Sequence, residues 1–251
     1  MNNDELINLL RSGNQTPVKL VFNNIRIRED FASTISKQIE PDSLDIIQLL
    51  NDSAYLKIFG INKERALTLF IPNTYEVYWN ITARDFMDRM FTEYNKFWNV
   101  ERRQKAELIG LDPPEVSILA SIVEKETAKN DEKARIAGVY LNRMMYNWRL
   151  QADPTIIFAW QDFNIRRVLN AHKEIDSPYN TYKYYGLPPG PICIPSISSI
   201  DAVLNREDHS YMFFCARDDF SGYHAFATTH AQHNVNANKY RRALDARNIK
   251  K

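Results

Sequence analysis

The chain has 251 residues, with 32 Lys and Arg against 31 Asp and Glu for a formal net charge of +1, so nucleic acid is not the expected partner. An apolar share of 44% and a charged share of 25% describe an ordinary globular chain, long enough for a substantial core. Its 7 glycines stand too far apart to form G-x-G-x-x-G or G-x-x-x-x-G-K-[ST], which excludes dinucleotide and P-loop cradles.

Residues 4–11 read as a short helix closed by the turn Ser12-Gly13-Asn14. Residues 18–27 alternate loosely (Leu20, Phe22, then Ile25, Ile27) and predict a strand. Helical patterns follow at 29–39, 42–52, 63–67 and 82–99, the last with Phe86, Met90, Phe91 and Tyr94 on one side. Between the last two, residues 70–79 are aromatic but broken by Pro72-Asn73, and are expected to be a loop. No repeat and no low-complexity tract is present. The character changes after Gly110, where a second unit, residues 109–251, is expected to begin.

That unit opens with a well-signalled helix. Asp112 suits the N-cap, Pro113 the first helical position and Glu115 the capping box. At about 100° per residue from Ile118, the stripe of Ile118, Leu119, Ile122 and Val123 centres near 70°. Glu126 falls at about 80°, inside the stripe, and Glu124 at about 240°, on the face expected to be solvated. A carboxyl on a buried face must carry a raised pKa or a strong partner. Periodicity alone leaves two readings open for Glu126: a general acid kept protonated, or a buried ion pair with Arg135, Arg143 or Arg149.

A second helix is predicted from Asn130, as cap, to about Trp148, with Ile136, Val139, Tyr140 and Met144 inward and Ala137-Gly138 permitting close backbone approach. Residues 150–155 form a polar turn, and 177–191 a long Tyr- and Pro-rich loop of the kind that carries function. Residues 210–216 read as a central strand, 218–222 as its turn, and 224–227 as an antiparallel return. Thr228 or Thr229 then caps a last helix. His224, His230 and His233 straddle that strand-to-helix boundary without a ligand framework, so no metal is expected. Cys193 and Cys215 form no redox or metal motif and read as thiols in the core. The N-terminus lacks a signal peptide and no apolar run approaches membrane-span length, which by itself reads as cytosolic.

Taken in order, several segments resemble the endolytic murein transglycosylases of the YceG-like family. They are Leu119-Ala120-Ser121-Ile122-Val123-Glu124-Lys125-Glu126-Thr127, Leu150-Gln151-Ala152-Asp153-Pro154-Thr155, Tyr179-Asn180-Thr181-Tyr182, Gly186-Leu187-Pro188-Pro189-Gly190-Pro191-Ile192, and Gly222-Tyr223-His224-Ala225-Phe226 with His233-Asn234. Pro72-Asn73-Thr74-Tyr75 fits as well, so the resemblance spans nearly the whole chain. The sequence departs from the family pattern at Asn73 and at Cys193-Ile194-Pro195-Ser196, where only the loop's place at the site carries over.

The resemblance implies an α+β fold: a catalytic domain of helices with a small antiparallel sheet (109–251), an N-terminal region of strand and helices (18–108), and the tail of a LysM-like module (1–17). It makes Glu126 the catalytic residue, in agreement with the helical wheel. The implied substrate is the peptidoglycan glycan strand, cut without water to leave 1,6-anhydro ends, and no cofactor is implied. Gln151, Asp153, Asn180, Thr181, Tyr182 and His224 are the expected cleft-lining residues, being amides, hydroxyls, rings and a carboxylate suited to sugars. The resemblance also implies a membrane anchor upstream, a catalytic domain on the extracytoplasmic or periplasmic side, and peptidoglycan synthases as partners. Two other readings are a catalytically weak peptidoglycan-binding scaffold and a metal-dependent hydrolase built on His224, His230 and His233.

Overall fold

The computed structural model describes residues 2–12 and 15–247. Helix α1 (Asn3–Ser12) matches the short helix expected there; Gly13 and Asn14 of the expected turn lie outside the described residues. Strand β1 (Val18–Val21) is shorter than predicted, because the chain leaves the sheet at Phe22 and runs on towards Asn24, which adopts φ 51°.

Helices α2 (Arg28–Ser36), α3 (Ser43–Asn51) and α4 (Ser53–Ile58) follow. Asp42 and Asp52 accept from backbone N–H groups of the first turns of α3 and α4, so each helix starts where its cap dictates. The helix expected at 63–67 is a 3₁₀ turn displaced to Ala66–Leu69. Strand β2 (Thr74–Val77) corrects the loop expected across 70–79. Past Pro72-Asn73, Tyr75 and Val77 point inward in alternation, and the pairing Leu20↔Tyr75 and Val18↔Val77 buries them against β1. Helices α5 (Ala83–Phe97) and α6 (Val100–Leu108) complete this part. The second escapes a reading by periodicity, since Ala106 is its only buried side chain and it has almost no apolar stripe.

Helix α7 (Pro113–Glu126) begins with the predicted Asp112/Glu115 capping box. Its residues Val116 to Val123 are all buried, which makes it the central helix of the protein. Helix α8 (Asn130–Met145) packs against it; its cap is Lys129, not Asn130, and no side chain bonds there. At Gly138 an added Cβ would lie 2.7 Å from the Glu207 carbonyl oxygen, so only glycine admits the backbone that crosses at this point. Helices α9 (Asp153–Trp160) and α10 (Ile197–Leu204) follow.

Strands β3 (Phe213–Ala216) and β4 (His224–Ala227) form the expected hairpin, with Phe214 opposite Phe226. The central strand expected at 210–216 is corrected: β3 belongs to a two-stranded sheet and every residue in it is half-buried. Its apolar side chains meet α8 on one face, through Tyr140 and Phe214, and helix α11 (His230–Ala246) on the other, through Phe213 and His233. Thr229 caps α11 with Gln232 as its capping-box partner. Among the described residues the fold is therefore α+β, with two small antiparallel sheets amid helices. One apolar core runs from Leu20 through α7 and α8 to Leu204.

Candidate active site

Glu126 is the last residue of α7, so the capping box that fixes the helix start also fixes, 14 residues later, where the acid stands. Thr127 ends the helix in extended conformation, and its Oγ1 accepts from the Lys129 amide at 3.0 Å. The chain thereby turns straight into α8, which carries Tyr140. The Tyr140 hydroxyl donates to Glu126 Oε1 at 2.5 Å. Its ring is buried and meets Phe214 edge-on at 5.9 Å.

Glu126 is half-buried, one side bordering a cleft of about 560 Å³. Burial of the carboxyl is the strongest influence on its proton affinity. The Tyr140 hydrogen bond opposes it, the Asp153 charge reinforces it and the Arg143 charge opposes it, for a net rise to about 7. An ion pair is not what holds this residue. Arg135 pairs with Glu207 at 2.9 Å, Arg149 donates to the Lys183 carbonyl, and Arg143 donates to the carbonyls of Met212 and Leu150.

Glu124 corrects the expectation of a solvated face. It is half-buried, and its Oε2 accepts from Lys133 Nζ at 3.1 Å, from Ser196 at 2.5 Å and from Ser199. Burial pushes its pKa up, yet the two hydroxyls and the ammonium outweigh burial and hold it below the ordinary carboxylate value. Two glutamates on the last turn of one helix thus face opposite environments, one suited to carrying a proton and the other to staying charged. Ser196, Ser198, Lys133 and Lys125 also border the Glu126 cleft. Lys125 donates across it to Asn24.

The other expected residues divide into two groups. Asp153, first residue of α9, accepts from the Tyr182 hydroxyl at 2.5 Å, and this pair stands close enough for both groups to act electrostatically with Glu126. Asn180 and Thr181 are buried and hold the wall of the site from within. Asn180 Nδ2 donates to the carbonyls of Lys173 and Ile175, and its Oδ1 accepts from the Tyr182 amide. Thr181 Oγ1 accepts from the Ala152 amide and bonds the Thr155 hydroxyl. Gln151 is exposed, in a left-handed conformation at φ 51°, with its backbone amide bonded to the Thr181 carbonyl.

His224 opens β4, where Glu132, itself buried, accepts from both its amide at 2.9 Å and its ring Nδ1 at 3.0 Å. Phe214 lies edge-on to both His224 and Tyr140, so two rings link the histidine to the acid, while its hydrogen bonds go to Glu132. His230 and His233 stack around Phe213 instead. Among the described residues no three His, Cys, Asp or Glu side chains gather as a metal-holding group.

The sequence model of the YceG-like family matches residues 1–239. The chain belongs to the YceG-like family. It is 39% identical over 122 residues to the endolytic murein transglycosylase of Bacillus subtilis, covering 49% of this chain and 33% of that protein. A Streptococcus pneumoniae protein of the same name is 30% identical over 173 residues, covering 66% of this chain and 30% of the other. The chain thus spans about a third of the length of these curated relatives. The crystal structure of a YceG-like protein from Listeria monocytogenes superposes with a TM-score of 0.74 at 26% identity, covering 94% of this chain and 81% of that one.

Within this candidate site, sequence reasoning missed Tyr140, Lys133, Ser198, Asn24 and the contact made by Ser196. Tyr140 had a signal: its place on the inward face of α8 demanded a partner for its hydroxyl. The family resemblance places the loop that ends at Ser196 at the site without giving a contact, whereas Ser198 and Asn24 come from distant segments and had no signal. Their approach depends on the loop after Gly190, which packs so closely that an added Cβ would fall 2.0 Å from the Glu64 carbonyl oxygen. That loop then bonds the Ile194 amide to the Ile25 carbonyl at 2.7 Å. Cys193 is buried beside Ser121 and burial pushes its thiol up to about 12, whereas Cys215 is half-buried; both are free.

Proposed function

We propose that this chain carries the catalytic centre of an endolytic peptidoglycan lytic transglycosylase, which cleaves the β-1,4 bond between N-acetylmuramic acid and N-acetylglucosamine. The observation that carries the proposal is the Glu126 carboxyl, with its pKa raised to about 7 at the edge of an open cleft. The names of the curated relatives support the same chemistry.

In the first step protonated Glu126 gives its proton to the glycosidic oxygen. The C1–O bond breaks, and positive charge develops on the muramoyl ring. The Asp153 carboxylate supplies negative charge on that side of the site. In the second step the ionised Glu126 takes the proton of the C6 hydroxyl, whose oxygen closes onto C1 as the 1,6-anhydro ring. The proton lost in the first step is regained in the second, and no water is consumed. One carboxyl serves both steps when its pKa lies near the working pH. Tyr140 keeps its oxygen in place, while Asn180 and Thr181 hold the wall that positions Asp153 and Tyr182.

In this reading residues 109–251 carry the acid, while residues 18–108 supply Asn24 and pack against α7. The reaction belongs outside the cytoplasmic membrane, where the glycan lies, and peptidoglycan synthases are the matching partners. Among the described residues no helix is long and apolar enough to cross a membrane.

The test is digestion of purified glycan strands by the wild type and by Glu126→Gln, read by mass spectrometry. Ends bearing 1,6-anhydro-muramic acid from the wild type alone are expected. Ends that have gained water would make the enzyme a hydrolase. Strand binding without cleavage by either protein would make the chain a scaffold.

A further inference from the structure

Beyond the Glu126 cleft lies a second groove, of about 410 Å³, lined by Tyr146, Asn147, Trp148, Arg149, Gln151 and Tyr185. Its three rings are 64%, 45% and 56% exposed for Tyr146, Trp148 and Tyr185, although aromatic rings contribute most to stability when buried. Two of them are held by neighbouring side chains. Trp148 meets Phe213 edge-on at 5.7 Å. The Arg149 guanidinium lies over the Tyr185 ring at 4.5 Å and is itself tied to the Lys183 carbonyl at 3.2 Å.

The backbone here is also unusual. Asn147 and Gln151 both adopt left-handed conformations, at φ 54° and 51°, which non-glycine residues take up at an energetic cost and which cluster at functional sites. Among the described residues, neither side-chain amide has a hydrogen-bond partner. Flat rings flanked by free amides match the flat faces, hydroxyls and N-acetyl groups of an amino sugar.

The groove is tied through the chain to the residues beside Glu126. Residues 149–153 run beside residues 181–185, joined by Arg149 to the Lys183 carbonyl, the Gln151 amide to the Thr181 carbonyl, and Tyr182 to Asp153. One end of this strip carries the ring groove and the other the Asp153–Tyr182 pair beside Glu126. Arg149 and Asp153 are near neighbours in the chain, a span of at most about 14 Å.

We infer that this groove is a distal subsite, in which a sugar further along the strand stacks on Trp148 and Tyr185 while Glu126 acts on the bond being cut. The inference rests on the transglycosylase reading for the identity of the strand. An enzyme that cuts within a strand must hold sugars away from the scissile bond, and this groove supplies such a hold.

The test measures binding of purified, peptide-free glycan strands to the Glu126→Gln protein, with and without Trp148→Ala or Tyr185→Ala. Binding needs no chemistry, so the groove is judged separately from the acid. We expect each substitution to weaken binding by about tenfold, the scale of one lost stacking contact. In the active enzyme the same substitutions should raise KM for long strands more than they lower kcat. Among the described residues Tyr185 has Arg149 as its one ring partner, so its variant stays informative should loss of Trp148 disturb folding. Unchanged affinity in both folded variants overturns the subsite, as does a Glu126→Gln protein that binds no strand. Cleavage by the wild type to anhydro ends, with unchanged affinity in the variants, would overturn the subsite and leave the transglycosylase reading standing.

Discussion

Opposed influences meet at the Glu126 carboxyl. Burial and the Asp153 charge favour its neutral form, whereas the Tyr140 hydroxyl and the Arg143 charge favour the ionised form. Each can be removed separately, and the signs differ. Tyr140→Phe removes a donor to the carboxylate, so the Glu126 pKa should climb above about 7 and the alkaline fall in activity should move to higher pH. Asp153→Asn removes a neighbouring negative charge, so the same limb should move to lower pH. Shifts on the order of one pH unit are expected from each, read from pH–rate profiles on glycan strands. Limbs that move together, or not at all, would mean that another group controls the reaction. Glu124 shows how much the surroundings decide: the same side chain type, on the same helix, is kept charged by two serines and a lysine.

The elements that bring these residues together differ in how plainly the sequence announces them. Helix α7 is readable to its ends, because Asp112, Pro113 and Glu115 carry their capping chemistry within a single turn and the apolar stripe points at Glu126. Strand β2 is not, because Pro72-Asn73 masks the short alternation of Tyr75 and Val77 that follows. The 177–191 loop is recognisable by its composition, but the work of its residues is not. Asn180 is expected from its residue type to line the cleft; its buried side chain ties the Lys173 and Ile175 carbonyls, before the loop, to the Tyr182 amide within it. Asn180→Ala should therefore leave two half-buried carbonyls and one amide without this partner and destabilise the protein by roughly 1–3 kcal/mol. Thermal denaturation measures that loss. A fall in kcat/KM should accompany it, because Tyr182 and Asp153 lose their support; an unchanged melting temperature would refute the structural role.

At the scale of the whole molecule, the regions on either side of residue 109 share one core. The Ile194 amide bonds Ile25, Lys125 bonds Asn24, and Arg65 pairs with Asp112 at 3.0 Å. Denaturant unfolding should accordingly give one transition, with helical circular dichroism and the fluorescence of the tryptophans, buried Trp98 among them, coinciding. Two separated transitions would mean independent units. The place of Glu126 on the apolar stripe of α7 is legible in the sequence, since helix periodicity and caps are local signals, and the α+β class follows from the family resemblance. The cleft's far wall is not, because Asn24 and Ser196 lie about a hundred and seventy residues apart in the chain and meet only through tertiary packing.

Helix α7 ends on an acid, at the terminus where a helix dipole favours a cation. Burial first, and the Asp153 charge with it, make folding prefer Glu126 protonated: that contribution to stability is complete below the ordinary carboxylate value of 4.5 and is lost as pH rises through about 7. A neutral glutamine escapes the loss and still offers Tyr140 an oxygen to bond. A search for sturdier variants, run in alkaline buffer and scored on folding alone, would discard the acid among its first changes. Under the proposed function, the chains it returned would bind the strand without cutting it.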